Sequence, residues 1–291
     1  MDARLHPLFC PVQGNGRASA YVYREMTPSP ALRPYVACYW ISEPAPPVHG
    51  RPLDTSSGTS VDRVLPDGCT DIIVKQDLYR DRCAAIYCGI FDHAFTIKYS
   101  EQQPVRSFGV RFFPGGACRF MGIPLDGLAN QALPLEVLLP DLGSGVRERI
   151  MRAASFTEQV REMESYLLAR LRKQERDGDI LIQNLLHRIF ISGGQENVQS
   201  MAASEAVSTR QMNRKFGQWI GTSPKKFMEI VRFQSVLREI KAGRITDWRT
   251  AALERGFYDQ AHLIREFKRF YGDTPVIAAQ EYRGMSDLSN S

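Results

Sequence analysis

The sequence predicts an α+β protein of two unlike parts, an N-terminal β-barrel or sandwich and an all-α C-terminal region. Three observations predict it. Before about residue 140, short runs rich in Val, Ile, Phe and Tyr alternate with Gly, Pro and Asp, the texture of strands and turns. After about residue 145, apolar residues recur every three or four positions, the period of an amphipathic helix. Within the last hundred residues one helical pattern occurs twice.

The strand candidates, in order, are "YVACYWI", "TDIIV", "AIYCGI", "FTIKYS" and "VRSFGVRFF". "EPAPPVHGRP" is a loop, because repeated prolines leave a sheet ladder without N–H donors. "PGGACRFMGIP" supplies turns around one more short segment, and "LANQALPLEVLLP" closes the region with a brief helix. "PDGCTD" places Asp67, Cys69 and Asp71 at alternate positions, which share a face if the segment is extended. Carboxylates beside a thiol raise its pKa and oppose nucleophilic use, so a turn around a buried cysteine is expected.

Composition narrows the function classes. The 291 residues suffice for two domains, and 43% hydrophobic with 24% charged residues is the globular range. No run of about 18 apolar residues occurs, and "MDARLHPLFCPVQGNG" lacks the apolar core of a signal peptide, so a cytoplasmic protein without membrane contact is expected. The six cysteines, at 10, 38, 69, 83, 88 and 118, form no CxxC pair and suit a reducing compartment. His6, His49, His93, His187 and His262 form no HxH or HxxxH pair, so no metal site is expected. No GxGxxG or GKS/T loop occurs, so no nucleotide cofactor is expected, and nothing assembles into a catalytic motif. Residues 1 to 150 hold 15 Lys and Arg against 15 Asp and Glu; the remaining 22 basic and 17 acidic residues carry the whole +5 charge. That excess suits contact with nucleic acid.

In "ASFTEQVREMESYLLARLRKQE", Phe156, Val160, Met163, Leu167 and Leu171 form one stripe. It can pack on the β region or on the same helix of a second subunit. "QERDGD" reads as a linker. "ILIQNLLHRIFISGG" is a helix carrying Ile180, Leu181, Leu185, Leu186 and Ile189, ended by two glycines, with His187 in a structural role.

Two helix pairs follow. In the first, Asn197 caps a helix burying Val198, Met201 and Ala202, and Ser208 caps a second helix burying Met212 and Phe216. The outer side of that second helix presents Thr209, Arg210, Asn213 and Arg214. In the other pair, Thr246 caps a helix burying Ala251 and Ala252, Gly256 makes the turn, and Phe257 fills the angle. Asp259 then caps a helix burying Leu263, Phe267 and Phe270, with Gln260, Ala261, His262, Ile264 and Arg265 outward. "RKFGQWIGTSP" and "REFKRFYGDTP" repeat at an offset of 51 residues. Two helices with a tight turn, the second basic and amide-rich, have the physics of a helix-turn-helix, whose first turn meets base edges in a major groove. Between the pairs, Pro224 to Lys241 forms one helix with Phe227, Val231, Leu237 and Ile240 inward. At 1.5 Å per residue its 18 residues span about 27 Å, enough with the widths of the flanking helices to set two reading helices about 34 Å apart, one duplex turn.

From about Asn197 to Arg283 the sequence closely resembles the DNA-binding region of the AraC/XylS-type transcription regulators. The carrying residues are "MAASEAVS" at 201 to 208, "RKFGQWIGTSPKKF" at 214 to 227, "VRF" at 231 to 233 and "GFYDQAHLIREFKRFYGDTP" at 256 to 275. The resemblance implies seven helices, with Arg210, Asn213 and Arg214 at the base- and backbone-facing positions of the first reading helix. It places Gln260, Ala261, His262 and Arg265 in the second. Met201 stands where the family has Leu, and Ala261 offers no side-chain hydrogen bond, so the second unit is expected to read fewer bases and more shape. "LRPYVACYWI", "RVLPDGCTDIIV", "YCGIFDHAFTI" and "VRSFGVRFFPGGACRFMGIP" resemble the β-rich, cupin-like sensory domain of one subgroup.

The expected organisation is a β-rich sensory domain at 1–145, an amphipathic helix and linker at 146–178, a DNA-binding domain with two helix-turn-helix units at 179–283, and a flexible tail at 284–291. The expected function is a bacterial, sequence-specific regulator of transcription with no cofactor. Its partners would be double-stranded DNA, a small-molecule effector, a second copy of the chain, and RNA polymerase if it is an activator. A β-domain enzyme tethered to DNA and an architectural DNA binder without effector are the alternatives.

Overall fold

Antiparallel strands form where apolar and polar residues alternate, and the alternation decides which face of each strand is buried. A computed structural model describes residues 3–13, 21–45, 60–80, 82–99, 103–140, 145–173 and 179–289. Eight strands are present: β1 (Tyr21–Met26), β2 (Val36–Pro44), β3 (Ser60–Val64), β4 (Thr70–Asp77), β5 (Arg82–Cys88), β6 (Phe95–Tyr99), β7 (Val105–Phe112) and β8 (Ala132–Pro134). Six make an antiparallel sheet in the order β1-β2-β7-β4-β5-β8, and β3 with β6 makes a separate ribbon. The N-terminal domain is thus a β domain as expected. Its form is an open sheet faced by a ribbon: among the described residues β1 and β8 are edges and do not pair with each other.

One face of the sheet carries Tyr39, Ile72, Val74, Ala85, Tyr87, Phe108, Val110 and Phe112, all buried. Helices cover it: α1 (Cys118–Met121), α2 (Leu135–Leu138), α3 (Gly145–Arg152) and α4 (Phe156–Lys173). Val160, Met163 and Leu167 of α4 join this core, so the amphipathic stripe is satisfied within the chain. Residues of opposite parity, among them Trp40, Asp71, Ile73, Ile86 and Arg111, turn to the other face, toward the ribbon. There Trp40 lies across Gly109, where a Cβ would come within 2.0 Å of the indole.

The C-terminal domain has seven helices among the described residues: α5 (Ile180–Ile191), α6 (Val198–Ser204), α7 (Thr209–Ile220), α8 (Pro224–Lys241), α9 (Trp248–Glu254), α10 (Gln260–Tyr271) and α11 (Pro275–Ser289). α8 runs through its centre, with Phe227, Ile230, Val231, Phe233, Val236, Leu237 and Ile240 buried. On α5 the buried set is Ile182, Leu185, Leu186, Ile189 and Phe190, while Ile180, expected on that face, is 73% exposed beside the cap residue Asp179. The cap of α9 is Asp247 rather than Thr246. Its carboxylate accepts from the N–H groups of Arg249 and Thr250, two of the otherwise unpaired donors of the first turn, and from the Thr250 hydroxyl at 2.5 Å. The segment from 284, expected as a tail, continues α11. The expected loop "EPAPPVHGRP" lies outside the described residues from position 46 on, as does "QERDGD" except for Asp179.

Several contacts join the two domains. A 3-10 helix, Ala3–Leu8, and the segment that follows it send Leu5, Phe9 and Val12 into the core of the C-terminal domain, where Phe9 stacks on Phe190 with centroids 4.7 Å apart. Gln234, fully buried on α8, accepts from Val12 N–H at 2.7 Å and donates to the carbonyls of Val12 at 3.3 Å and Pro66 at 2.7 Å. Ion pairs Lys226–Asp92, at 3.2 Å, and Arg63–Glu281, at 3.2 Å, add polar ties.

Candidate nucleic-acid interface

The repeat seen in the sequence becomes two matching helix pairs. α6 and α9 have 7 residues each, and α7 and α10 have 12 each. The turn within each pair needs a left-handed residue. Gly256 takes φ 72° at no steric cost, whereas Ala206 takes φ 52° in the first pair, a conformation costing a non-glycine residue about 1–2 kcal/mol. Each 12-residue helix ends on a left-handed glycine, Gly221 or Gly272, and is followed by a helix beginning with proline.

The N-termini of α7 and α10 are capped by different chemistry to the same end. Ser208 accepts from Gln211 N–H, and the Gln211 side chain returns to the Ser208 backbone, a capping box. Asp259 accepts from His262 N–H at 2.7 Å. Met212, Phe216 and Ile220 hold α7 to the core, and Leu263, Phe267, Phe270 and Tyr271 hold α10. The opposite faces are open: Thr209, Arg210, Asn213 and Arg214 are exposed on α7, and Gln260, Ala261 and Arg265 on α10. His262 differs. Its ring is half-buried edge-on against Phe257, Nδ1 accepts from Tyr258 N–H at 3.3 Å, and Nε2 lies 3.6 Å from Glu266. These contacts brace the turn and leave only part of the ring to solvent.

Tyr258 was not among the residues expected at this surface. It is 87% exposed, one residue before the α10 cap, and lines the same groove as Arg249, Leu253, Gln260, Ala261 and Ile264. An aromatic residue next to a capping Asp at a helix start was the available signal.

α8 grips the second unit through charge. Arg232 donates to both carboxylate oxygens of Glu266 at 3.0 and 2.6 Å and lies over the Phe257 ring. Glu229 accepts from Arg269 at 2.6 Å, and Glu239 pairs with Arg255. In the first unit Arg188 of α5 makes a forked pair with Glu196 just before α6, at 3.1 Å to each oxygen.

Among the described residues no group of three or more His, Cys, Asp or Glu is placed to hold a metal ion. Cys69 is buried at the turn preceding β4, and burial, then Asp67, pushes its thiol well above its ordinary value. Burial likewise raises Cys38 and Cys88 to about 12, so none of these three is a nucleophile near neutral pH. Sequence reasoning found Asp67 and Asp71 but missed their partner, Arg111 of β7. The guanidinium Nε lies 3.5 Å from Asp67 and 3.4 Å from Asp71, and only folding brings β7 beside β4.

Two family models match the chain. Residues 24–134 match a domain of unknown function (DUF6597), and residues 201–280 match a helix-turn-helix domain. No curated protein matches. Solved structures of ToxT from Vibrio cholerae align with it. One, at 1.65 Å resolution, is 12% identical over 76% of this chain and 97% of that one, with a TM-score of 0.38. Another, bound to (E)-4-(8-methylnaphthalen-1-yl)but-3-enoic acid, is 12% identical over 77% and 98%, with a TM-score of 0.40. No helix among the described residues is long and apolar enough to cross a membrane.

Proposed function

We propose that this chain, a two-domain helix-turn-helix protein of the AraC/XylS type, regulates transcription by reading two successive major grooves of double-stranded DNA. The observation that carries the reading is the duplication. Two helices of equal length, each with a rigid apolar back and an exposed polar first turn, pack on one 18-residue helix, α7 through Phe216 on Phe227 and α10 through Glu266, Phe267 and Arg269 on Arg232, Phe233 and Glu229. A single such helix would be an ordinary surface. A pair held by one strut has a defined spacing, which a regular duplex can match.

Each contact has a chemical role. Arg210 and Arg214 suit guanine O6 and N7 or phosphate, and Asn213 and Gln260 suit adenine. Thr209 and the N-terminal N–H groups of each helix suit phosphate. Ala261 offers only a methyl group for thymine, and Arg265 a phosphate contact. His262, braced as it is, serves chiefly to hold the first turn in place. The β domain is the natural seat of an effector, since it shares a seam with the strut. Pairing of two copies, and contact with RNA polymerase in an activator, complete the proposal.

The test is competition between a selected operator and random duplex at fixed salt. Arg210→Ala and Gln260→Ala should each reduce discrimination by about 1–3 kcal/mol without changing the melting temperature. Unchanged discrimination in both variants would refute the assignment of these two residues.

A further inference from the structure

Between the six-stranded sheet and the ribbon β3–β6 lies a cavity of about 180 Å³. A cavity of roughly 150 Å³ lined by apolar side chains accommodates benzene, so this one has room for a single ring with a short arm. Ile73 and Ile86 from the sheet and Phe91, Phe95 and Ile97 from the ribbon side supply apolar walls, and Trp40 adds an indole. Phe91 and Phe95 pack together with centroids 4.7 Å apart.

The polar lining is lopsided. Arg111, with its side chain only 7% exposed, faces the two carboxylates of the lining, Asp71 at 3.4 Å and Asp67 at 3.5 Å, and outside the lining the exposed Glu25 at 3.9 Å. Asp71 also accepts from the Trp40 indole N–H at 2.8 Å. Lys75, the other cation of the lining, is exposed to water. An anionic ligand would therefore meet an arginine already surrounded by negative charge. A cation would relieve that excess and would lie among aromatic faces, which attract ammonium groups.

The walls of this cavity belong to different bodies. Trp40, Asp71, Ile73, Ile86 and Arg111 stand on the six-stranded sheet. The opposite wall is tied to the DNA-reading domain: Arg63 of β3 pairs with Glu281 of α11 and covers the Tyr271 ring, and Gln234 of α8 holds the Pro66 carbonyl. Leu65, next to Pro66, is part of the C-terminal core while also lining the cavity. A molecule wedged between the two walls bears on the second, and through it on α8 and α11.

We propose that this cavity binds a small single-ring molecule bearing an ammonium group, and that its occupancy is relayed to the reading domain through β3 and the Leu65–Cys69 loop. The relay rests on the regulatory function proposed above; the binding itself does not.

Three probes of one shape test it on the full chain: benzylamine, benzyl alcohol and benzoate, by calorimetry and thermal shift. Benzylamine should bind about tenfold or more tighter than benzyl alcohol, with benzoate weakest. Asp71→Asn should remove most of the preference for the amine over the alcohol, and Ile97→Trp, from the ribbon side, should abolish binding of all three. Hydrogen exchange should show benzylamine slowing amides of the 65–69 loop and of α8 and α11, and Arg63→Ala should confine the effect to the β domain. No binding, or benzoate or benzyl alcohol equal to benzylamine, overturns the ligand class. Slowing confined to the sheet of the unaltered protein overturns the relay. Salt-dependent binding to duplex DNA, measured separately, decides the regulatory reading on its own.

Discussion

Phe267 shows how one side chain holds the exposed face of α10 in place. It is 1% exposed, packs against Phe233 of α8 and stacks on Tyr271. Replacing it by Ala removes a ring's worth of buried surface and leaves a void between α10 and α8. A destabilisation of about 3–5 kcal/mol is expected in a denaturant or thermal melt. Its inward position was legible beforehand, because Leu263, Phe267 and Phe270 keep helical spacing. The role of His262 was not legible. Its sequence neighbours, Ala261 and Leu263, offer it no partner, and the groups that engage it, the Tyr258 N–H, the Glu266 carboxylate and the Phe257 ring, meet it only once the turn has closed.

At the scale of elements, α8 and α10 are joined by the forked pair between Arg232 and Glu266, whose side chains are 15% and 7% exposed. Removing one partner leaves a charge in a largely dry seam. Glu266→Ala should cost about 2–4 kcal/mol, below the upper part of the range for a broken buried pair because Arg232 keeps some access to water. The double variant Arg232→Met with Glu266→Met should recover much of that loss, as a chemical melt would show. Most elements were readable, the five expected strand segments becoming β2, β4, β5, β6 and β7, while β1, β3 and the three-residue β8 were not expected. Period-two segments became strands, period-3.6 segments became helices, and three of the four caps in the helix pairs fell on the expected Asn197, Ser208 and Asp259. The miss at α9 has a local cause. Thr246 and Asp247 are both good caps, and the choice depends on where the chain leaves α8. Pairings across long separations were unreadable in principle from one sequence. Arg111 reaches Asp71 from 40 positions away, and Val12 meets Gln234 at a separation of 222 residues.

Over the whole molecule, the N-terminal segment couples the halves, and it carries a titratable group. His6 stacks on Phe113 with centroids 4.6 Å apart, and burial lowers its pKa from the ordinary 6.5. The native state thus favours the neutral ring, while the unfolded or undocked chain takes up a proton more readily. The contribution of His6 is complete above pH 6.5 and declines as pH falls through that value toward the lower native one. Amide exchange in residues 3–12, corrected for intrinsic rates, should accelerate relative to the rest of the chain between about pH 7.5 and 5.5. His6→Phe, which keeps the stack without the proton, should flatten that dependence. An unchanged profile in the substituted protein would assign the effect elsewhere.

The docking of Leu5, Phe9 and Val12 onto α5 and α8 has a consequence for anyone who would separate the halves. A reading domain cut free at the linker would bare the groove those three side chains fill, along with the unsatisfied amide of Gln234. It would carry an oily scar and would clump. Supplying residues 3–12 as a separate peptide should heal that scar and keep the fragment in solution.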